Sequence, residues 1–175
     1  HDLREKILVG SPDIRVLSFG EDLKITDWPT VLAKVRNQPG VVAAAPFVLT
    51  ESLMTAGHDY SGGVYVVGLL PESRGVPNVT TIRSHATSGD SITLLSTGGV
   101  KLSDMNPVTG GLVPHIERFE VTGIVQTGMY EYDNAYVFVA LDKAQTLAGL
   151  GSGVTGIEVK TADRWQAQSV ASHLV

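Results

Sequence analysis

The sequence predicts an α+β protein: a split α/β lobe interrupted by a mostly β insertion. Three observations carry this expectation. A strand–helix–strand pattern fills the first third of the chain. A strand–helix pattern, half of a second such unit, closes it. The stretch between them is rich in β-branched and aromatic runs and holds one short helix. The split lobe is expected over residues 1–62 and 153–175, and the insertion over 63–152.

Residues His1 to Leu8 (HDLREKIL) read as the end of a helix entering from a preceding segment. Asp13 to Phe19 (DIRVLSF) alternates apolar and polar residues, the period of a half-buried strand. Asp27 can cap a helix that tolerates Pro29 in its first turn, where a missing N–H costs nothing. Trp28, Val31, Leu32 and Val35 then fall on one helical face, and Pro39-Gly40 stops the helix. Val41 to Thr55 reads as a long strand with a bend at Pro46. In the insertion, strands are expected at Gly63–Leu70, Ser91–Ser96, Arg118–Gln126 and Ala135–Leu141, followed by a helix over Lys143–Ala148 capped by Asp142. Val154 to Lys160 is a further strand. Asp163 caps a last helix whose Ala167, Val170, Ala171 and Leu174 share a face, and another strand is expected to follow it.

Composition narrows the function. Apolar residues make up 43% of the 175 and charged ones 18%, enough for a packed core and too little charge for a disordered chain. The net charge of −5 argues against a nucleic-acid face, which needs clustered Lys and Arg. With no Cys, thiolate catalysis, Cys-ligated zinc and disulfides are excluded.

Motifs that imitate chemistry fail on context. Gly151 to Gly156 (GSGVTG) fits G-x-G-x-x-G, but it follows a helix and opens a strand, whereas a dinucleotide site needs the reverse. No His is spaced with other ligands as a closed metal site requires; His58-Asp59 comes nearest and reads as a solvated loop. Glu131 and Asp133 would share one face of a strand, yet with no companion base they read as a polar rim. No catalytic residue, metal or cofactor is therefore expected.

The segment Gly98 to Ile116 (GGVKLSDMNPVTGGLVPHI) stands apart. It is long for a connection between two strands. Pro107 and Pro114 bracket Val108, Thr109, Gly110, Gly111, Leu112 and Val113, and Gly110-Gly111 supplies a tight turn. The tip is apolar where loops are normally polar, and an exposed apolar tip usually has a partner.

Several stretches together resemble the first periplasmic domain of lipoprotein-releasing ABC transporter permeases of the LolC/LolE type. They are Leu3 to Leu8, the "PGV…AAP" junction Pro39 to Pro46, Gly89-Asp90-Ser91-Ile92, the returning arm Pro114 to Val121 with Thr122-Gly123-Ile124, and Gly128 to Asp133 with Ala144-Gln145. The resemblance covers nearly the whole chain. It implies a Porter-like split lobe with an inserted Sabre-like lobe, on the periplasmic face of the inner membrane, without catalysis of its own. It implies as partners a LolA-like lipoprotein carrier, a second permease subunit (LolE-like or a second copy), a cytoplasmic ATPase subunit and the lipoprotein substrate. It also implies that the carrier docks on a hairpin, the Hook, formed here by Met105, Asn106, Pro107, Val108, Thr109, Gly110, Gly111, Leu112, Val113 and Pro114, with His115, Glu117 and Arg118 as an adjacent pad. The Pro107…Gly110…Pro114 pattern resembles LolC more than LolE.

Two departures stand against the family pattern. Ser84 to Ser88 runs almost straight into Gly89-Asp90 where the family has a longer connection, so that a loop reads as left out of the numbered sequence. The hairpin carries one extra residue between its prolines, and His115 stands where the family has a basic residue. The competing readings are a MacB-type efflux domain docking an adaptor protein, and, from another class, a small hydrolase or ligand-binding α+β domain.

Overall fold

The computed structural model describes residues 14–18, 24–58, 60–70, 91–96, 115–121, 135–162 and 167–173. In chain order the elements are β1 (Ile14–Leu17), α1 (Trp28–Arg36), β2 (Val41–Ala56), β3 (Tyr60–Leu69), β4 (Ser91–Ser96), β5 (His115–Glu120), β6 (Tyr136–Ala140), α2 (Leu141–Ala148), β7 (Gly156–Thr161) and α3 (Ala167–His173). They fall into two compact units. One comprises His1–Val48, Leu69–Val79 and Ser152–Val175; the other comprises Leu49–Gly68 and Thr80–Gly151.

In the first unit β7 is the middle strand, antiparallel to β1 and to the start of β2. Its sequence alternates, so Ile157 and Val159 point to one face and Glu158 to the other. Ile157 and Val159 form a core with Leu32 and Val35 of α1 and with Ala44, while Ile14, Val16, Trp28, Val31 and Val41 pack round it. Burying each such aliphatic side chain is worth roughly 1.5–3 kcal/mol. Polar contacts fix the helix at both ends. The Trp28 indole N–H donates to the Ser152 carbonyl at 2.9 Å. The Arg36 guanidinium donates to the Ala44 carbonyl through Nε at 3.2 Å and Nη2 at 3.0 Å. Gly40 turns the chain from α1 into β2 at φ +85°, a conformation that favours glycine, and a Cβ there would lie 2.9 Å from Val170 Cγ2.

The opposite face of β7 buries a charge. Glu158 is 6% exposed and stands across from Arg15 in the β1–β7 register. An Arg15 Nη2–Glu158 Oε1 contact of 3.4 Å joins the pair, and the guanidinium lies 5.5 Å from the Phe47 ring centroid. Burial pushes the Glu158 carboxyl above its ordinary value, and the Arg15 charge and hydrogen bond oppose that shift only in part.

In the second unit the far half of β2 pairs with β4, and β4 with β5, both antiparallel. β3 flanks β2, and β6 flanks β3. On β4 every even position, Ile92, Leu94 and Ser96, is buried. The helix α2 packs on β4 and β5 and buries Leu141, Ala144 and Leu147. It also lies against β3 so closely that a Cβ on Gly68 would overlap the Ala144 methyl and stand 3.2 Å from Leu141 Cα. Gly149, at φ 69°, ends the helix with Leu150 N–H returning to the Gln145 carbonyl at 3.0 Å.

Several expectations need correction. Asp142 is not the cap of α2: the helix begins at Leu141 from an extended Ala140, and Asp142 lies in the first turn, where a negative charge favours the helix dipole. Asp27 occupies the cap position of α1, but its carboxylate accepts from the Thr30 hydroxyl (2.9 Å) and caps no backbone N–H. The irregularity in β2 falls between Val41 and Ala43, while Pro46 stays in register opposite Ile157. The strand expected from Arg118 starts at His115, because the pairing with β4 continues back from Arg118 to His115, opposite Ser96. Residues 122–126 lie outside the described residues.

Two predictions follow from these contacts. Gly68→Ala should cost about 1–3 kcal/mol in urea unfolding, the cost of overpacking a close approach. Ala144→Gly should cost about 1 kcal/mol alone. The double variant should lose clearly less than the sum of the two, since it restores the space. For Glu158, the folded carboxyl binds its proton more tightly than the unfolded one, so its contribution is full below the ordinary value of 4.5 and is lost as pH rises through the folded value. Thermal melts should therefore show Glu158→Gln gaining stability relative to the parent between pH 4 and pH 7, with the difference largest at the neutral end.

Candidate interaction surface

The site expected from the sequence is centred on the connection between β4 and β5. Met105 to Pro114 lie outside the described residues; the two strands that the connection leaves and rejoins are described. Their register sets which side chains stand at its root. Leu95 pairs with Ile116, Thr93 with Arg118 and Ser91 with Glu120. One strand further in, Leu53 pairs with Leu95 and Thr55 with Thr93. Directly paired residues of antiparallel strands share a face. Leu53, Leu95 and Ile116 thus form an apolar row across three strands, on the side of the sheet away from α2.

The row is open. Ile116 is 57% exposed and Leu53 42%. A concavity of about 500 Å³ opens beside it, lined by Glu51, Leu53, Gly63, Tyr65 and Leu95 among others. Tyr65 carries the apolar surface on to the neighbouring strand: its ring lies 5.3 Å from that of Tyr136, which lies 6.5 Å from that of Phe138. On the other side of the sheet Leu94 is fully buried and Ile92 nearly so. Ser52, on that buried side, donates to the Leu95 carbonyl at 2.8 Å and pins β2 to β4.

The three residues expected to form a pad separate onto two faces. His115 and Glu117 point to the helix side, where His115 Nε2 lies 3.2 Å from Glu117 Oε1 and Lys143 Nζ 3.9 Å from Glu117 Oε2. Arg118 points to the open side, beside Ile116 and across from Thr93. Of the three, only Arg118 shares a surface with the apolar row. Strand parity separates them, since positions 115 and 117 have the parity opposite to 116 and 118. The row itself was invisible without the register, because its members come from three strands far apart in the chain.

The Gly151–Gly156 run joins α2 to β7, and Val154 within it is bridged to Ile25. His58 sits in the turn after β2, and Glu131 and Asp133 lie outside the described residues. Among the described residues no group of three or more His, Asp or Glu is placed to hold a metal ion. Among them, too, no helix is long and apolar enough to cross a membrane.

The fold matches the extracellular domain of an ABC-type transporter. The chain superposes on the extracellular domain of the noncanonic ABC-type transporter YknZ from Gram-positive bacteria with a TM-score of 0.50 and 12% identity, over 90% of this chain and 88% of that one. No family model matches the sequence. By sequence the chain is similar to proteins named as LolC of the lipoprotein-releasing system. It is 30% identical over 169 residues to the lipoprotein-releasing system transmembrane protein LolC of Neisseria meningitidis serogroup B, over 86% of this chain and 40% of that protein. It is 24% identical over 196 residues to LolC of Xylella fastidiosa strain Temecula1, over 99% of this chain and 45% of that protein. The chain thus spans less than half the length of these relatives. The second alignment is longer than the 175 residues of the chain, so the relative carries residues within the matched span that this chain lacks.

The register makes a direct prediction. Ile116→Ser, on the open face, should change stability by no more than about 0.5 kcal/mol, as exposed positions do. Leu94→Ala, one strand over on the buried face, should cost about 2–5 kcal/mol. Equal losses in denaturant titrations would mean that the strands pair in another register.

Proposed function

We propose that the chain is the periplasmic domain of a LolC-type permease, and that it docks a periplasmic lipoprotein carrier while catalysing nothing itself. The observation that carries this reading is the similarity to LolC proteins over most of the chain, together with an open apolar row at the root of a Pro-bracketed, apolar-tipped connection. In this reading the two units correspond to the Porter-like and Sabre-like lobes, the division falling at Leu49 within β2, where the sequence put it at residue 63. The domain stands on the periplasmic face of the inner membrane, beside a second permease subunit. A separate cytoplasmic subunit hydrolyses ATP, and the cargo is a lipoprotein.

The physical logic is that of a small contact made specific. A narrow hairpin buries little area, so a few residues must fill a pocket on the partner. A carrier that holds acyl chains offers an apolar pocket of that kind. Val108, Leu112 and Val113 supply the contact, and Pro107 and Pro114 lower the entropy lost on ordering it. Arg118 stands on the open face next to the root, where a charge steers approach more than it adds affinity.

Surface-immobilised domain titrated with the carrier tests this. Val108→Asp or Leu112→Asp should weaken binding about tenfold or more, because burying one aliphatic side chain is worth roughly 1.5–3 kcal/mol and ~1.4 kcal/mol is tenfold. The melting temperature should stay within a degree or two. Loss of folding in either variant would make the segment part of the core, and unchanged carrier binding in both would remove the hairpin from the interface.

A further inference from the structure

The open face of the second unit carries a second concavity, of about 520 Å³, one row beyond the apolar one. It is lined by Thr55, Ala56, Gly57, His58, Ser91, Thr93 and Arg118. The register explains the convergence. Thr55, Thr93 and Arg118 form one cross-strand row, Ser91 stands in the next row, and the turn at Gly57-His58 closes the end.

The chemistry of the lining is one-sided. Among the described residues it offers a guanidinium, three hydroxyls and an imidazole, and no carboxylate, in a chain whose net charge is −5. Among the described residues Arg118 has no ion-pair partner, and none of the three hydroxyls makes a hydrogen bond. Lys143 is engaged by Glu117 on the other face. Among the described residues of β5, Glu120 is the carboxylate on this face. It lies two residues along β5 on the same face, opposite Ser91, and outside the lining.

We infer that this concavity is an oxyanion site, in which Arg118 and the hydroxyls of Thr93, Thr55 and Ser91 receive a phosphate group. A guanidinium presents paired N–H donors that match two oxygens of a phosphate, and hydroxyls donate to the remaining ones. Two phosphates are within reach of an open surface: a free phosphate ester and the headgroup of an anionic phospholipid. The inference does not rest on carrier docking, and its test uses no carrier.

The 175-residue chain, isotopically labelled, is titrated with inorganic phosphate at constant ionic strength while amide shifts are followed. Saturable shifts in the millimolar range at Gly57, His58, Ser91, Thr93 and Arg118 are expected. Arg118→Gln should weaken the response at least tenfold. Glu120→Gln should strengthen it, since it removes a repelling charge without touching the lining; this opposite sign cannot come from a folding defect. Vesicles of phosphatidylcholine with and without phosphatidylglycerol separate the two sources: Arg118-dependent sedimentation with the anionic vesicles assigns a lipid headgroup, and phosphate binding without sedimentation assigns a free ester. Shifts that do not saturate, that chloride reproduces, or that persist in Arg118→Gln would overturn the site. So would a Glu-rich peptide that occupies these residues where phosphate does not, for it would make the patch a protein-docking surface.

Discussion

The second unit is organised by one constraint, the antiparallel register of β2, β4 and β5. A strand's side chains alternate with a period of two, so a slip of one residue would exchange the two faces of the sheet. The pairs Leu53–Leu95, Leu95–Ile116 and Thr93–Arg118 fix the phase. They send Ile92 and Leu94 into the core beneath α2 and leave Leu53, Ile116 and Arg118 in the open. The cost of a slip is high, since it would expose Leu94 and Met54, which are fully buried, and bury the charged residues of β5. The faces are therefore held by the core, and the surface at the root of the β4–β5 connection inherits its composition from that choice.

The same rule works in the first unit with a different outcome. There the alternation of β7 places Ile157 and Val159 in the core and delivers Glu158 to the other face. Removing a carboxylate from water is expensive, and one guanidinium at 3.4 Å repays only part of it. Such a pair contributes less to stability than to position: Arg15 belongs to the short strand β1, and the pair favours one register of β1 on β7.

Much of this was legible in the sequence, and for identifiable reasons. The bounds of Ser91–Ser96 are legible to the residue because Gly89-Asp90 punctuates its start and Gly98-Gly99 follows its end. Helix α1 was found from Trp28, Val31, Leu32 and Val35 at helical spacing, and its end was overestimated by two residues because Asn37 and Gln38 carry no signal against continuation. Helix α2 was misplaced by two residues because an acidic cap was expected, while the chain enters the helix from an extended Ala140. The open surface was the least legible part. Leu53, Leu95 and Ile116 look like ordinary strand residues one by one, and only their long-range pairing makes a row of them. For the same reason His115, Glu117 and Arg118 looked like one patch, although the strand parity divides them.

Because everything proposed for the open face depends on that register, the most direct measurement is a thiol scan of β4. The chain has no Cys of its own, so single cysteines introduced at positions 91 to 96 report without background. Ser91→Cys, Thr93→Cys and Leu95→Cys should react readily with a soluble maleimide, and Ile92→Cys, Leu94→Cys and Ser96→Cys should be protected until the domain unfolds. A scan with the phase reversed, or with no alternation, would contradict the account.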